Sequence, residues 1–138
     1  MNLLIVSNGN FAKELYHSMK RFYSNPEIDY ICLKDEDTNQ YITKIQHYLI
    51  ENTDDLLILC DVHGSTAFNE VAIAIDKMNR VNSTAVICGI NLPILFKLYG
   101  IKDSWDIENI KSFYNDSEKN GVIVYSPIST EDAYETIL

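Results

Sequence analysis

Four short runs of apolar residues recur along the chain, at 2–7 (NLLIVS), 28–33 (IDYICL), 55–60 (DLLILC) and 84–90 (TAVICGI). They are near-continuous instead of alternating, the pattern of strands buried on both faces of a parallel sheet. Between them the apolar positions switch to a helical period. Phe11, Leu15, Met19 and Phe22 predict a helix with Asn10 as its N-cap. Asp37 predicts the cap of a second helix, with Tyr41, Ile45 and Tyr48 as its buried stripe. Phe68, Val71, Ala72 and Ile75 mark a third helix, and Pro93 opens a fourth that ends at Gly100. Ile107, Ile110 and Tyr114 belong to a fifth, stopping near Asn120-Gly121.

This alternation predicts an α/β fold: a doubly wound, four-stranded parallel sheet with helices on both faces and right-handed crossovers. The end of the chain breaks the rhythm. GVIVYSPIS (121–129) is β-like but follows a helix, and Pro127 and a last helical turn from Thr130 come after it. So late a strand is expected at a sheet edge, in this subunit or in a neighbour's. No repeat, low-complexity tract or linker precedes residue 120, so residues 1–138 are read as one domain.

Composition narrows the class of partner. The apolar fraction of 46% is that of an ordinary globular protein with a real core. A net charge of -9, with Lys and Arg together numbering 11, weighs against nucleic acid and anionic membranes, which need clustered cations. MNLLIV lacks a basic segment before it and meets Ser7-Asn8-Gly9-Asn10 at once, so no signal peptide is expected. No run approaches the roughly 18 apolar residues of a membrane span. Cys32, Cys60 and Cys88 each sit in an apolar run without C-x-x-C spacing, as buried reduced thiols of a cytoplasmic protein would.

Open α/β sheets bind ligands beyond the C-terminal strand ends, where strand order reverses. Two strand ends here are chemically unusual. The first is Ser7-Asn8-Gly9-Asn10, short and polar. The second is Asp61-Val62-His63-Gly64-Ser65-Thr66. Asp61 closes an apolar strand, where a carboxylate is costly unless solvated or hydrogen-bonded. Gly64, Ser65 and Thr66 then open a helix, offering backbone N–H groups, two hydroxyls and a positive dipole end to a phosphate. Helix capping alone would also explain Asp61 and Ser65. A lone histidine such as His63 is ordinarily a surface or packing residue, and no spacing in the chain suggests metal ligands. No cofactor is implied.

Flavodoxins place a longer, hydroxyl-rich loop after strand one, and response-regulator receivers need an acidic pair there; neither is present. The blocks Ser7-Asn8-Gly9-Asn10-Phe11-Ala12, Asp61-Val62-His63-Gly64-Ser65-Thr66-Ala67-Phe68-Asn69 and Gly89-Ile90-Asn91-Leu92-Pro93-Ile94-Leu95 occur in order and at fitting spacings. Together they resemble enzyme IIA of the mannose/fructose class of the bacterial sugar phosphotransferase system, over nearly the whole chain. That family typically reads SHGxFAxG, then Asp-hydrophobic-FGGSPFN, then GxNLPML in these places.

The resemblance implies a phosphoryl relay. A histidine after strand one takes phosphate from the histidine phosphocarrier protein and passes it to the IIB component of a sugar permease. It also implies a homodimer that exchanges the late edge strand, and membrane association only through the permease. Carried over by position, Asp61 orients the phosphoacceptor and Gly64, Ser65 and Thr66 cradle phosphate, but the acceptor position itself is Asn8. An amide nitrogen whose lone pair is delocalised into its carbonyl does not attack phosphorus, so loss of carrier activity is expected. His63 is the one nearby histidine that could substitute. Asn8 is read either as the mark of a natural, degenerate domain kept for regulation or partner binding, or as a deliberate exchange of the histidine. The sugar is chosen by the permease and is not written in this chain.

Overall fold

Leu3 to Val6 are completely buried or nearly so, because successive residues point to opposite faces of the sheet and both faces are covered. Leu4 and Val6 join Leu56, Ile58, Cys60, Val86 and Cys88 in one core layer, while Leu3 and Ile5 join Leu57, Leu59, Ala85 and Ile87 in the other. This is the structural meaning of the unbroken apolar runs in these three segments; the run at 28–33 differs, because its strand lies at the sheet edge and leaves Asp29 and Tyr30 exposed. The coordinates are those of a computed structural model that describes residues 1–35, 37–115 and 123–125.

The strands are β1 (Asn2–Asn8), β2 (Asp29–Leu33), β3 (Leu56–Cys60) and β4 (Thr84–Cys88), all parallel. A fifth, β5 (Ile123–Tyr125), lies antiparallel beside β4 of the same chain, with Cys88 opposite Ile123 and Val86 opposite Tyr125. The sheet order is β2-β1-β3-β4-β5, which puts the late strand at an edge. The rest of the stretch 121–129, the end of the fifth helix near Asn120-Gly121 and the turn from Thr130 lie outside the described residues.

Helices α1 (Phe11–Met19), α2 (Thr38–Glu51), α3 (Thr66–Lys77), α4 (Leu92–Ile101) and α5 (Ile107–Asn115) cover the sheet, with a 3₁₀ turn at Val81–Ser83. Residues of α2 and α3 fill the first layer, and residues of α1, α4 and α5 fill the second. Asp37 caps α2 through Oδ1, which accepts from the Gln40 amide at 3.1 Å, and Pro93 stands in the first turn of α4.

Two helix expectations need correction. The buried side of α1 runs through Ala12 and Met19, not through Phe11 and Phe22. The helix ends at Met19, where Phe22 and Tyr23 both donate to the Met19 carbonyl, and the change of direction leaves Phe22 64% exposed. In α2 the deepest stripe is Tyr41, Ile45 and Leu49, a strict four-residue spacing, while Tyr48 is half-buried and gives its hydroxyl proton to Asp29 at 2.8 Å. Among the described residues no helix is long and apolar enough to cross a membrane.

Candidate functional site

Strand β1 sits between β2 and β3, so the crossovers leave it in opposite directions and open a crevice at its C-terminal end. Asn8 is the last residue of β1 and Asp61 the first after β3. The parallel register, with Val6 opposite Cys60, brings them to the same end of the sheet. The Asn8 backbone N–H donates to Asp61 Oδ2 at 2.9 Å.

Both carboxylate oxygens of Asp61 are engaged. Oδ1 accepts from the Val62 backbone N–H at 2.7 Å and from the Ser65 hydroxyl at 3.4 Å. Ser65 is also the N-cap of α3, its Oγ accepting from the Phe68 amide at 3.2 Å. Gly64 precedes it at φ +83, a left-handed turn that glycine enters without strain. The expectation that a carboxylate here needs hydrogen bonds is met by two amides and one hydroxyl. From the β4 side, the Gly89 N–H reaches both the Cys60 carbonyl at 3.2 Å and the Asp61 carbonyl at 3.1 Å, bracing the end of β3.

The loop after β1 is held as firmly. Ser7 is buried, and its Oγ donates to the Gly9 carbonyl at 3.0 Å while accepting from the Ala12 amide at 2.8 Å. Ser7, not Asn10, therefore caps α1; Asn10 makes no side-chain capping bond. Gly9, at φ +65, sends its N–H to the Leu33 carbonyl at 2.8 Å and ties the loop to the end of β2. Sequence patterning places Ser7 and Gly89 in the segments that mark this corner but gives neither a role of its own. The signal for Ser7 was a hydroxyl at the end of a buried apolar run, which must find partners of its own.

A hollow of about 550 Å³ opens beside Asn8 and Gly9, bounded by Leu33, Asp35, Thr38 and Thr66. Thr38 and Thr66 are the first residues of α2 and α3, so two helix N-termini border the same space. Beneath it, the buried Tyr41 donates its hydroxyl proton to the Ala67 carbonyl at 2.8 Å, fastening the first turn of α3 to α2. Burial, reinforced by Cys60 and Asp61 nearby, pushes the Tyr41 phenol far above its ordinary value. A larger hollow, about 810 Å³, lies at the other end of the sheet among Asn2, Asp55, Lys102 and Trp105. Its buried cation, Lys102, is already paired with Asp103 at 3.0 Å and Glu27 at 3.4 Å.

The structure thus brings the Asn8 backbone and the Ser65 hydroxyl each onto Asp61 and puts Thr66 on the hollow with Asn8. His63 behaves differently. Its ring lies 4.8 Å from that of Phe68, and no hydrogen bond joins it to Asp61 among the described residues. Among the described residues no cluster of three His, Cys, Asp or Glu side chains could hold a metal ion. The three cysteines are free thiols, Cys60 and Cys88 buried and Cys32 half-buried.

An asparagine side-chain amide is neither nucleophile nor base, so the Asn8 side chain itself can bind and orient but not attack. Solved structures share the fold. The chain is similar to phosphotransferase system component EIIA from Streptococcus agalactiae, with TM-score 0.73, 19% identity, and 88% of this chain and 95% of that one covered. It is similar to the mannose/sorbose specific IIA subunit from Enterococcus faecalis, with TM-score 0.68, 17% identity, and coverage of 93% and 96%. A sigma-54 interaction domain protein from Enterococcus faecalis also matches, with TM-score 0.69, 9% identity, and coverage of 87% and 91%. No curated protein sequence matches the chain. The family model for the phosphotransferase system fructose IIA component, EIIA-man, matches residues 2–114, from the start of β1 into the last turn of α5, and the chain belongs to that family.

Proposed function

We propose that this chain is a IIA domain that docks with phosphotransferase-system partners and does not itself carry the phosphoryl group. One observation supports the reading: Asn8, where the resemblance places the acceptor histidine, stands in surroundings that stay in order. Its backbone N–H, not its side chain, donates to Asp61 Oδ2 at 2.9 Å, and Ser7 and Gly9 hold the loop on both sides. In a relay the acceptor nitrogen must give a lone pair to phosphorus as the donor's P–N bond breaks. The amide lone pair of Asn8 is delocalised and makes no such bond.

The partners on this reading are the histidine phosphocarrier protein and the IIB component of a permease. Gly64, Ser65 and Thr66, at the start of α3, are the groups suited to the phosphoryl oxygens of a phosphorylated partner. On this reading the chain works in the cytoplasm as a homodimer, in which each β5 takes on the other subunit's β4 the place it holds within one chain here. The test is incubation with phosphoenolpyruvate, enzyme I and the histidine phosphocarrier protein. The unmodified chain should take up no phosphate, and the Asn8→His variant should take up one acid-labile, base-stable phosphate. Labelling of the unmodified chain would overturn the reading and direct attention to His63.

A second reading, a regulatory module, draws support from the fold shared with the sigma-54 interaction domain protein. It keeps the docking surface and dispenses with the nucleophile. An Asn8→His variant that folds and still takes up no phosphate would favour it, because the differences at His63, Ser65 and Ala67 would then have dismantled the cradle.

A further inference from the structure

We infer that Ser65 is a positioning residue that holds Asp61 in a self-satisfied arrangement and thereby sets how strongly this carboxylate engages a side chain at position 8. The inference rests on reading the Asn8–Asp61 corner as a IIA site, and it identifies what regulates that site.

A carboxylate presents about four lone-pair positions to donors. Two on Asp61 are taken by the backbone amides of Asn8 and Val62, which are present whatever side chains stand there. Among the described residues Ser65 is the one side chain hydrogen-bonded to Asp61. Its hydroxyl oxygen receives the Phe68 amide, so its single proton is directed at Asp61 Oδ1. At 3.4 Å this is a long hydrogen bond, and its effect is a graded weakening of the carboxylate, not its neutralisation.

Glycine, the residue the resemblance places at this position, would cap α3 almost as well but has no proton to give. Asn8 and Ser65 therefore act on the same carboxylate. One removes the group that Asp61 would orient, and the other occupies an acceptor position that such a group would use.

The experiment puts an imidazole at position 8, whose backbone N–H already bonds Asp61, by Asn8→His and follows its titration by NMR. Two further variants combine that substitution with Ser65→Gly or with Ser65→Thr. The charged and titratable groups on the elements around position 8 include Asp61 and His63 after β3, Lys34 and Asp35 after β2, Asp37 at the start of α2, and Lys13 and Glu14 in the first turn of α1. All are common to the three proteins, so differences between titrations isolate residue 65. With Ser65→Gly the imidazole should titrate about half a pH unit higher, because a carboxylate relieved of one donor stabilises the imidazolium better. With Ser65→Thr, which keeps the hydroxyl, it should titrate as in the single variant. Identical titrations for the glycine and serine proteins, or a threonine protein that follows glycine, would overturn the inference. No phosphoryl donor or partner protein takes part, so failure here is distinct from failure of the docking reading, which is tested by labelling of the unmodified chain.

Discussion

The backbone amide of Asn8 and the carboxylate of Asp61 meet at 2.9 Å across the seam between β1 and β3, joining residues 53 positions apart in sequence. Asp61 is thereby a structural tie between two strand ends, since it also receives the Val62 amide.

Asp61→Ala should lower stability by about 1–2 kcal/mol, the scale of hydrogen bonds to a charged group discounted for solvent access at the strand end. The check is the urea midpoint, with the slope unchanged. Hydrogen exchange at the Asn8 and Val62 amides should quicken in the same variant. Unaltered exchange at both would show that water replaces the carboxylate at no cost.

Two glycines should respond in opposite ways to alanine. Gly64 lies at φ +83 with open space where a Cβ would go, so only backbone strain opposes the substitution, and Gly64→Ala should cost about 1 kcal/mol. Gly100 lies inside α4 with equally open space, and Gly100→Ala should stabilise by about 0.5–1 kcal/mol. Thermal or urea unfolding of the two variants reads the contrast directly.

Stability should fall at high pH because of Tyr41. Burial holds its folded-state value far above the ordinary 10.0, so above pH 10 the unfolded chain releases a proton that the folded chain retains. The contribution is complete below pH 10 and is lost as pH rises beyond it, with a slope approaching about 1.4 kcal/mol per pH unit. Tyr41→Phe should flatten that slope and cost about 1 kcal/mol at neutral pH, where the bond to the Ala67 carbonyl is missing. Urea unfolding at several pH values between 8 and 11.5 would measure both, and an unchanged slope in the variant would assign the loss to other groups.

Assembly can be checked by sedimentation. Every residue of β4 is buried, and β5 shields its outer edge. The proposed homodimer should sediment as one species of twice the chain mass at micromolar concentration, and a single monomeric species would reject it. Truncation after Asn120 removes β5, bares the β4 edge and should give an aggregating protein.

Local patterns in the sequence determined the strands and helices, because those patterns act over a few residues. The apolar runs without alternation at β1, β3 and β4 became strands covered on both faces, whereas β2, at the sheet edge, leaves Asp29 and Tyr30 exposed. Asp37 and Pro93 each bear on their own helix start through bonds or angles a few positions away. The candidate corner was legible for a related reason: Asp61 and Asn8 are polar residues at the ends of strands whose parallel order follows from the crossovers. What only the tertiary structure decided involves partners from different elements. Ser7 displaced Asn10 as the cap of α1 because a buried hydroxyl at the strand end has to find both a donor and an acceptor. Phe22 lies outside the core because α1 stops when the chain must turn towards β2, which periodicity does not encode. Arg80 reaches the carbonyls of Leu49, Asn52 and Asp54 and closes the end of α2, a contact set by how the end of α3 packs beside it. The hold of Ser65 on Asp61 is of the same kind, for whether a capping hydroxyl also meets a carboxylate depends on the angle at which β3 delivers the chain into α3.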